Sequence, residues 1–215
     1  MTPRSHSLPL SEMLISLTVL LLGLKSLRLF PGLSTGDKRM AAALLLLTLP
    51  LLHLFLKNTT NRFFERRPGE IFHSLRVLGR TSLLIFPAFL LLSHAYQHLF
   101  LHHSFHSSGR GWDYWLQTAI TQLCFVAFPE EFFFRGYLQT QLRIRQGPLG
   151  AIFLTAFLFA FSHSLIILQW WHFAIFFPAC VFGWLREKTS GLLAPTLFHT
   201  FCNVLIFWVG SSYRP

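Results

Sequence analysis

Long apolar runs separated by short polar stretches dominate the chain. An α-helix needs roughly 20 apolar residues to cross a bilayer, and most of these runs come close to that length. Unbroken apolar runs predict helices, because a helix satisfies its own backbone hydrogen bonds in lipid, whereas a transmembrane β-barrel has short alternating segments. We therefore expect an all-α, polytopic transmembrane helix bundle of about seven spans. The spans are predicted at residues 9–25, 40–56, 81–101, 114–138, 149–168, 170–186 and 191–209.

The composition places the chain among integral membrane proteins. Hydrophobic residues make up 53% of it and charged residues only 12%, whereas soluble domains carry about twice that charged fraction. The formal net charge of +10 resides mainly in basic residues between the apolar runs, as at residues 57–67 and 76–80. Such residues set topology and contact lipid headgroups, so we expect a lipid partner and no nucleic acid. Their distribution favours a cytoplasmic N-terminus in a multi-pass protein.

Two polar stretches interrupt the apolar pattern. Residues 57–70 are basic and contain the breaker Pro68-Gly69, which predicts a loop with an amphipathic interfacial stretch. Residues 102–113 hold three histidines. A histidine-rich loop can bind metal, although a solvated connector is the more frequent structure.

Two adjacent carboxylates stand out in the apolar part of the chain. Glu130 and Glu131 are the only acidic residues between Tyr114 and Arg186. An ionisable group at membrane depth costs at least about 2.5–3.5 kcal/mol, so a pair of them calls for a reason. Glu131 and Arg135 are four residues apart and can form an ion pair on one helix face, which alone could be structural. Glu130 has no such local partner and needs one from another helix.

Two histidines and an asparagine in later apolar runs are candidate partners for Glu130. His163 lies in the fifth run, and His199 and Asn203 lie four residues apart in the seventh. Each residue alone is explained as an interhelical hydrogen bond. Together, polar groups on three successive apolar segments indicate an intramembrane functional site.

This set of side chains suits hydrolysis. A carboxylate beside an imidazole can bind and deprotonate a water molecule, and histidine and asparagine donors can stabilise a tetrahedral oxyanion. Two glutamates and two histidines could also bind zinc, but the chain contains no HExxH motif.

Three motifs occur in order on separate apolar segments: EExxxR at 130–135, FxxxH at 159–163 and HxxxN at 199–203. Over about residues 112–210 the chain thereby resembles the CPBP family, the CAAX-protease and bacteriocin-processing glutamic-type intramembrane proteases. The resemblance implies a catalytic helix bundle at residues 112–215. Residues 1–111 are then N-terminal transmembrane helices with the basic interfacial loop.

The resemblance also implies roles for the two glutamates and their partners. Glu130 is expected to be the base that activates water, assisted by His163. Glu131 is expected to support the site electrostatically and to be held by Arg135.

The remaining motif residues are expected to complete the site. His199 and Asn203 are expected to form an oxyanion hole, and Phe159 to pack against the site. The glutamate mechanism implied by the resemblance needs no cofactor, and zinc is kept as a minority alternative.

The leading functional hypothesis is an endopeptidase that cuts near the C-terminus of a membrane-anchored or lipid-modified protein. CAAX-type tails, bacterial C-terminal sorting tails and bacteriocin-related substrates are all compatible with the resemblance. The alternative is a non-catalytic membrane immunity or scaffold protein that uses the same polar cluster structurally. A small proton-coupled transporter ranks last, because the chain lacks internal repeats. The sequence leaves the oligomeric state open.

Overall fold

The computed structural model describes residues 10–56, 70–167 and 170–214, which are almost entirely helical. Two π-helical segments, Leu123–Ala127 and Phe132–Gln139, and two 3₁₀ segments, Leu27–Leu29 and Trp170–Ile175, connect or extend the α-helices. The α-helices are α1 (Leu10–Ser26), α2 (Thr35–Leu56), α3 (Glu70–Leu99), α4 (Trp112–Gln122), α5 (Phe128–Glu131), α6 (Thr140–Ile167), α7 (Phe176–Thr189) and α8 (Leu193–Ser212).

The predicted all-α bundle is confirmed, with one small addition. Strands β1 (Ser104–Phe105) and β2 (Tyr213–Arg214) form a two-residue antiparallel ladder. The backbone N–H of His106 also donates to the carbonyl of Ser212 at 2.8 Å. The polar connector predicted at 102–113 is thereby fastened to the end of α8.

Four stretches of the described helices are long and apolar enough to cross a membrane. They are Leu10–Leu29, Ile71–Leu99, Trp112–Leu165 and Leu193–Ser212. The third stretch contains the span predicted at 114–138 and most of the span predicted at 149–168. The runs predicted at 40–56 and 170–186 are helical but are not among the four, so the count of seven spans stays a prediction. The basic loop predicted at residues 57–70, with its interfacial stretch, lies outside the described residues apart from Glu70, the first residue of α3.

The long third stretch reverses direction at Gly147. This residue has φ 69° and ψ 178°, a conformation that glycine adopts without the steric penalty of a Cβ atom, and Pro148 follows it. The rings of Phe134 and Phe159, on either side of the reversal, are 4.9 Å apart and nearly perpendicular. The two arms of the reversal therefore pack against each other, and this brings the EExxxR and FxxxH motifs together.

The N-terminal helices share a core with the C-terminal half. Side chains of α1 and α2 pack in one cluster with the aromatic residues of the second π segment. The fully buried members of this cluster include Met13, Leu20, Phe133, Tyr137 and Phe159. The predicted boundary at residue 111 separates the part of the chain that carries the motifs from the part that does not. Because both parts share one core, a boundary between structural domains at this point stays a prediction.

A chain of hydrogen bonds crosses the same contact. Glu12 Oε2 is 2.9 Å from His53 Nε2, and Tyr137 Oη is 2.5 Å from His53 Nδ1. Because the carboxylate of Glu12 accepts, His53 donates from Nε2 and accepts from the tyrosine hydroxyl at Nδ1. Ser16 Oγ lies 3.4 Å from the same hydroxyl. This cluster ties α1 and α2 to the second π segment with polar bonds.

The second π segment and α7 approach each other closely at Gly183. The side-chain amide of Gln139 donates to the carbonyl of Gly183 at 3.0 Å. A Cβ atom added at Gly183 would lie 3.0 Å from Gln139 Oε1 and 3.2 Å from Ile152 Cγ2. The absence of a side chain at this position therefore permits the helix contact.

We expect Gly183→Ala to lower the thermal unfolding temperature of the protein in detergent, because overpacking a close contact destabilises by about 1–3 kcal/mol. Gly79→Ala in α3 is the matched control, since a Cβ atom there meets nothing within 4 Å. The control is expected to be neutral or slightly stabilising, because alanine favours a helix interior over glycine. Equal unfolding temperatures for the two variants would contradict the packing argument.

Candidate active site

The two adjacent glutamates lie between two π-helical segments. α5, which is only four residues long, carries both of them, and Pro129 lies in its first turn. Proline donates no backbone hydrogen bond, so the regular α-helical ladder is interrupted at this point. Directly after the end of the second π segment, the hydroxyl of Thr140 donates to the carbonyl of Arg135 at 3.3 Å. π-helical turns of this kind occur frequently at functional sites.

A fully buried ion pair forms the base of the cluster. Arg135 Nη1 donates to Glu131 Oε1 at 3.1 Å, and both side chains are 0% exposed. Arg135 Nη2 donates to the carbonyl of Ala179 in α7 at 3.1 Å. The guanidinium carbon also lies 4.5 Å from the ring centroid of Phe159 and 5.1 Å from that of Phe182. The arginine therefore links the second π segment to α6 and α7 while it neutralises Glu131.

Glu131 in turn fixes the ring of His199. His199 Nδ1 is 2.8 Å from Glu131 Oε1, the same oxygen that accepts from Arg135. Because the carboxylate oxygen is an acceptor, Nδ1 carries the hydrogen of this bond. Phe182 stacks on the imidazole with ring centroids 4.6 Å apart and 18° between planes. The orientation of His199 is thus set by a charged acceptor on one edge and an aromatic face.

His163 is oriented by a different acceptor with the same result. Its Nδ1 donates to the carbonyl of Phe159, one turn earlier in α6, at 2.9 Å. Its Nε2 is 4.0 Å from Glu130 Oε1, and His199 Nε2 is 3.8 Å from Glu130 Oε2. Both imidazoles are therefore anchored through Nδ1 and present Nε2 to the carboxylate of Glu130.

Glu130 differs from its neighbour in having no direct ion pair of hydrogen-bonding length within the described residues. Its side chain is 17% exposed, whereas that of Glu131 is 0% exposed. Its Oε2 is nevertheless buried and has no hydrogen-bond partner among the described residues. The structure thus brings together Glu130, Glu131, Arg135, Phe159, His163 and His199, six of the seven residues that the motifs single out.

The seventh residue, Asn203, follows His199 by one turn of α8. Its side-chain amide donates to Gln122 Oε1, at the end of α4, at 2.9 Å. Gln122 is itself buried and was not singled out from the sequence. Its signal was a glutamine within a predicted span, eight residues before Glu130.

Phe182 and the carbonyl of Ala179 are two further contributors that sequence reasoning missed. Both lie on α7, which carries none of the three motifs. Phe182 is one of 25 phenylalanines, and a backbone carbonyl leaves no mark on the sequence. Neither contribution could have been selected without the fold.

Within the described ranges, no group of three or more histidine, cysteine, aspartate or glutamate side chains is arranged to hold a metal ion. The three histidines of the 102–113 connector are included in that statement.

Residues 111–205 match a family model described as type II CAAX prenyl endopeptidase, Rce1-like. The predicted resemblance to the CPBP family is confirmed. The Rce1-like segment begins just before α4 and contains all seven motif residues, while α1 to α3 precede it. No curated protein and no solved structure matches the chain. The four apolar helices and the Rce1-like match together indicate an integral membrane protein that is similar to type II CAAX prenyl endopeptidases over residues 111–205.

We expect Arg135→Met to destabilise the protein by about 3–5 kcal/mol, because it leaves the buried Glu131 carboxylate without its cation. Glu130→Gln is the matched control and should change stability by less than about 1 kcal/mol, since Glu130 has no hydrogen-bonding-length ion pair to lose. Thermal unfolding of both variants in detergent measures the difference. Similar losses for both variants would argue against the distinct roles assigned to the two glutamates.

Proposed function

We propose that the protein is an intramembrane endopeptidase that hydrolyses a peptide bond near the C-terminus of a lipid-modified, membrane-anchored protein. The single observation that carries the proposal is the convergence of two Nδ1-anchored histidines on Glu130. A purely structural polar cluster would be held by direct hydrogen bonds. The distances of 3.8 and 4.0 Å between Glu130 and the two histidines are too long for such bonds. A prenylated CAAX-type tail is the favoured substrate, in keeping with the description of the matching family.

In the proposed reaction Glu130 is the general base. One water molecule can hydrogen-bond to a carboxylate and an imidazole that lie 3.8–4.0 Å apart. Glu130 takes a proton from this water as its oxygen attacks the scissile carbonyl. The C–N bond of the tetrahedral intermediate then breaks, and Glu130 returns the proton to the leaving amine. His163, held by the Phe159 carbonyl, positions the water.

His199 and Asn203 are proposed to stabilise the oxyanion. The Nδ1 of His199 is committed to Glu131, so Nε2 is the atom that meets the substrate, and it donates only when the ring is an imidazolium. Glu131 stabilises that positive charge, as the carboxylate of a catalytic triad does. Asn203 uses one amide hydrogen on Gln122 and has a second for the oxyanion.

We expect Glu130→Gln to abolish cleavage of a farnesylated CAAX peptide while the protein accumulates at the wild-type level. The amide keeps the shape of the side chain but cannot accept the proton from water. Mass spectrometry of the peptide before and after incubation in proteoliposomes measures the reaction. Normal cleavage by this variant would rule out Glu130 as the base. Loss of expression instead of activity would favour the alternative of a non-catalytic immunity or scaffold protein.

The glutamate mechanism also predicts that activity survives strong chelation. A structural or catalytic zinc would be removed by a chelator, and added zinc would restore the activity. The same peptide assay after dialysis against chelator, with and without added zinc, distinguishes the two mechanisms. Activity lost on chelation and regained with zinc would establish the metal-dependent alternative.

A further inference from the structure

A polar cavity of about 230 Å³ lies beside α4, which is the first helix of the Rce1-like segment. Its lining residues from α4 recur three and four positions apart, so they occupy one face of the helix. They are Tyr114, Gln117, Thr118, Thr121 and Gln122. Gln122 of this row accepts a hydrogen bond from Asn203 of α8, and Thr118 donates to the carbonyl of Tyr114 in its own helix, whereas Gln117 and Thr121 form no side-chain hydrogen bond with the described residues. The row offers hydrogen bonds to a polar ligand.

Arg39 faces this row from α2. It is the one charged residue among those that line the cavity, and no described side chain forms a hydrogen bond or ion pair with it. A guanidinium surrounded by hydroxyl and amide groups binds a carboxylate well, because it can donate two parallel hydrogen bonds. No acidic residue lines the cavity to compete for it. The chemistry of the cavity therefore selects an anion.

Gln122 connects the cavity to the candidate active site. It lines the cavity and accepts the hydrogen bond of Asn203, which lies one turn from His199. Gln122 precedes Glu130 by eight residues, which span at most about 12 Å, because five of the residues form the first π segment and a π-helix rises less per residue than an α-helix. An extended peptide of three residues covers about 10 Å. A tail of three residues whose first bond lies at Glu130 thus ends close to the level of Gln122.

We propose that this cavity binds the free C-terminal carboxylate of the substrate tail, with Arg39 as its ionic partner. The identity of the ligand rests on the proposed function, since three residues follow the prenylated cysteine in a CAAX tail. Arg39 then selects for a free C-terminus and for a short tail without touching the reacting atoms. The enzyme would in this way recognise the end of a protein rather than an internal peptide bond.

The test compares one farnesylated peptide with a C-terminal acid against the same peptide with a C-terminal amide. Binding is measured with full-length Glu130→Gln protein in nanodiscs, so that the readout does not depend on turnover. The acid is expected to bind about tenfold or more tightly than the amide, as for a hydrogen-bonded charged pair. Adding Arg39→Gln should remove this preference, and Arg39→Lys should retain part of it. Lys38→Gln, which removes the same charge from the neighbouring position, should leave the preference unchanged.

Equal binding of acid and amide to the Arg39-containing protein would overturn the carboxylate site, as would a preference that persists in Arg39→Gln or disappears in Lys38→Gln. Absence of any peptide binding would overturn it as well. The proposed function is tested separately: it would be contradicted if the wild-type protein cleaved neither peptide. In that case an Arg39-dependent preference in binding would still establish the cavity as a carboxylate site. For an active wild-type enzyme, Arg39→Gln should raise KM for the acid peptide while kcat changes less than about threefold.

Discussion

The buried contact between Glu131 and Arg135 organises the rest of the site. A carboxylate and a guanidinium with no exposure to solvent are stabilised by their ion pair and by further hydrogen bonds to other groups. Arg135 donates a hydrogen bond to the carbonyl of Ala179, and Glu131 accepts one from the imidazole of His199. Each of these bonds draws in another helix, α7 in the first case and α8 in the second. The pair thereby fixes the position of His199, and through it the surroundings of Glu130.

The same constraint explains why the two adjacent glutamates differ. Neighbouring residues on a helix point about 100° apart, so only one of them can face Arg135. Glu131 does so, and its carboxylate is engaged in structural bonds to Arg135 and His199. Glu130 is turned towards the Nε2 atoms of His163 and His199, with limited exposure and no ion pair of hydrogen-bonding length among the described residues. Glu131 with Arg135 therefore stabilises the fold, whereas Glu130 is available for the proposed reaction.

Much of this arrangement could be predicted from the sequence because lipid makes polar residues conspicuous. The helical bundle, the Glu131–Arg135 pair and the convergence of His163 with His199 all follow from polar groups within apolar runs. Contributions from backbone and from common residues could not be predicted. Phe182 is indistinguishable from other phenylalanines, and the carbonyl of Ala179 acquires a role only through helix packing. The number of spans also stays a prediction, because the runs at 40–56 and 170–186 are helical but are not among the four stretches that are long and apolar enough to cross a membrane.

The hydrogen bonds from Tyr137 through His53 to Glu12 bear on how modular this protein is. The segment that matches the family model begins at residue 111, yet its Tyr137 hydroxyl depends on a histidine from α2 and a carboxylate from α1. A chimera that joined this segment to the N-terminal helices of another membrane protein would leave the Tyr137 hydroxyl without its hydrogen-bond partner His53. The first two helices and the segment after them are therefore expected to have changed together during evolution, even though only one of them carries a recognisable signature.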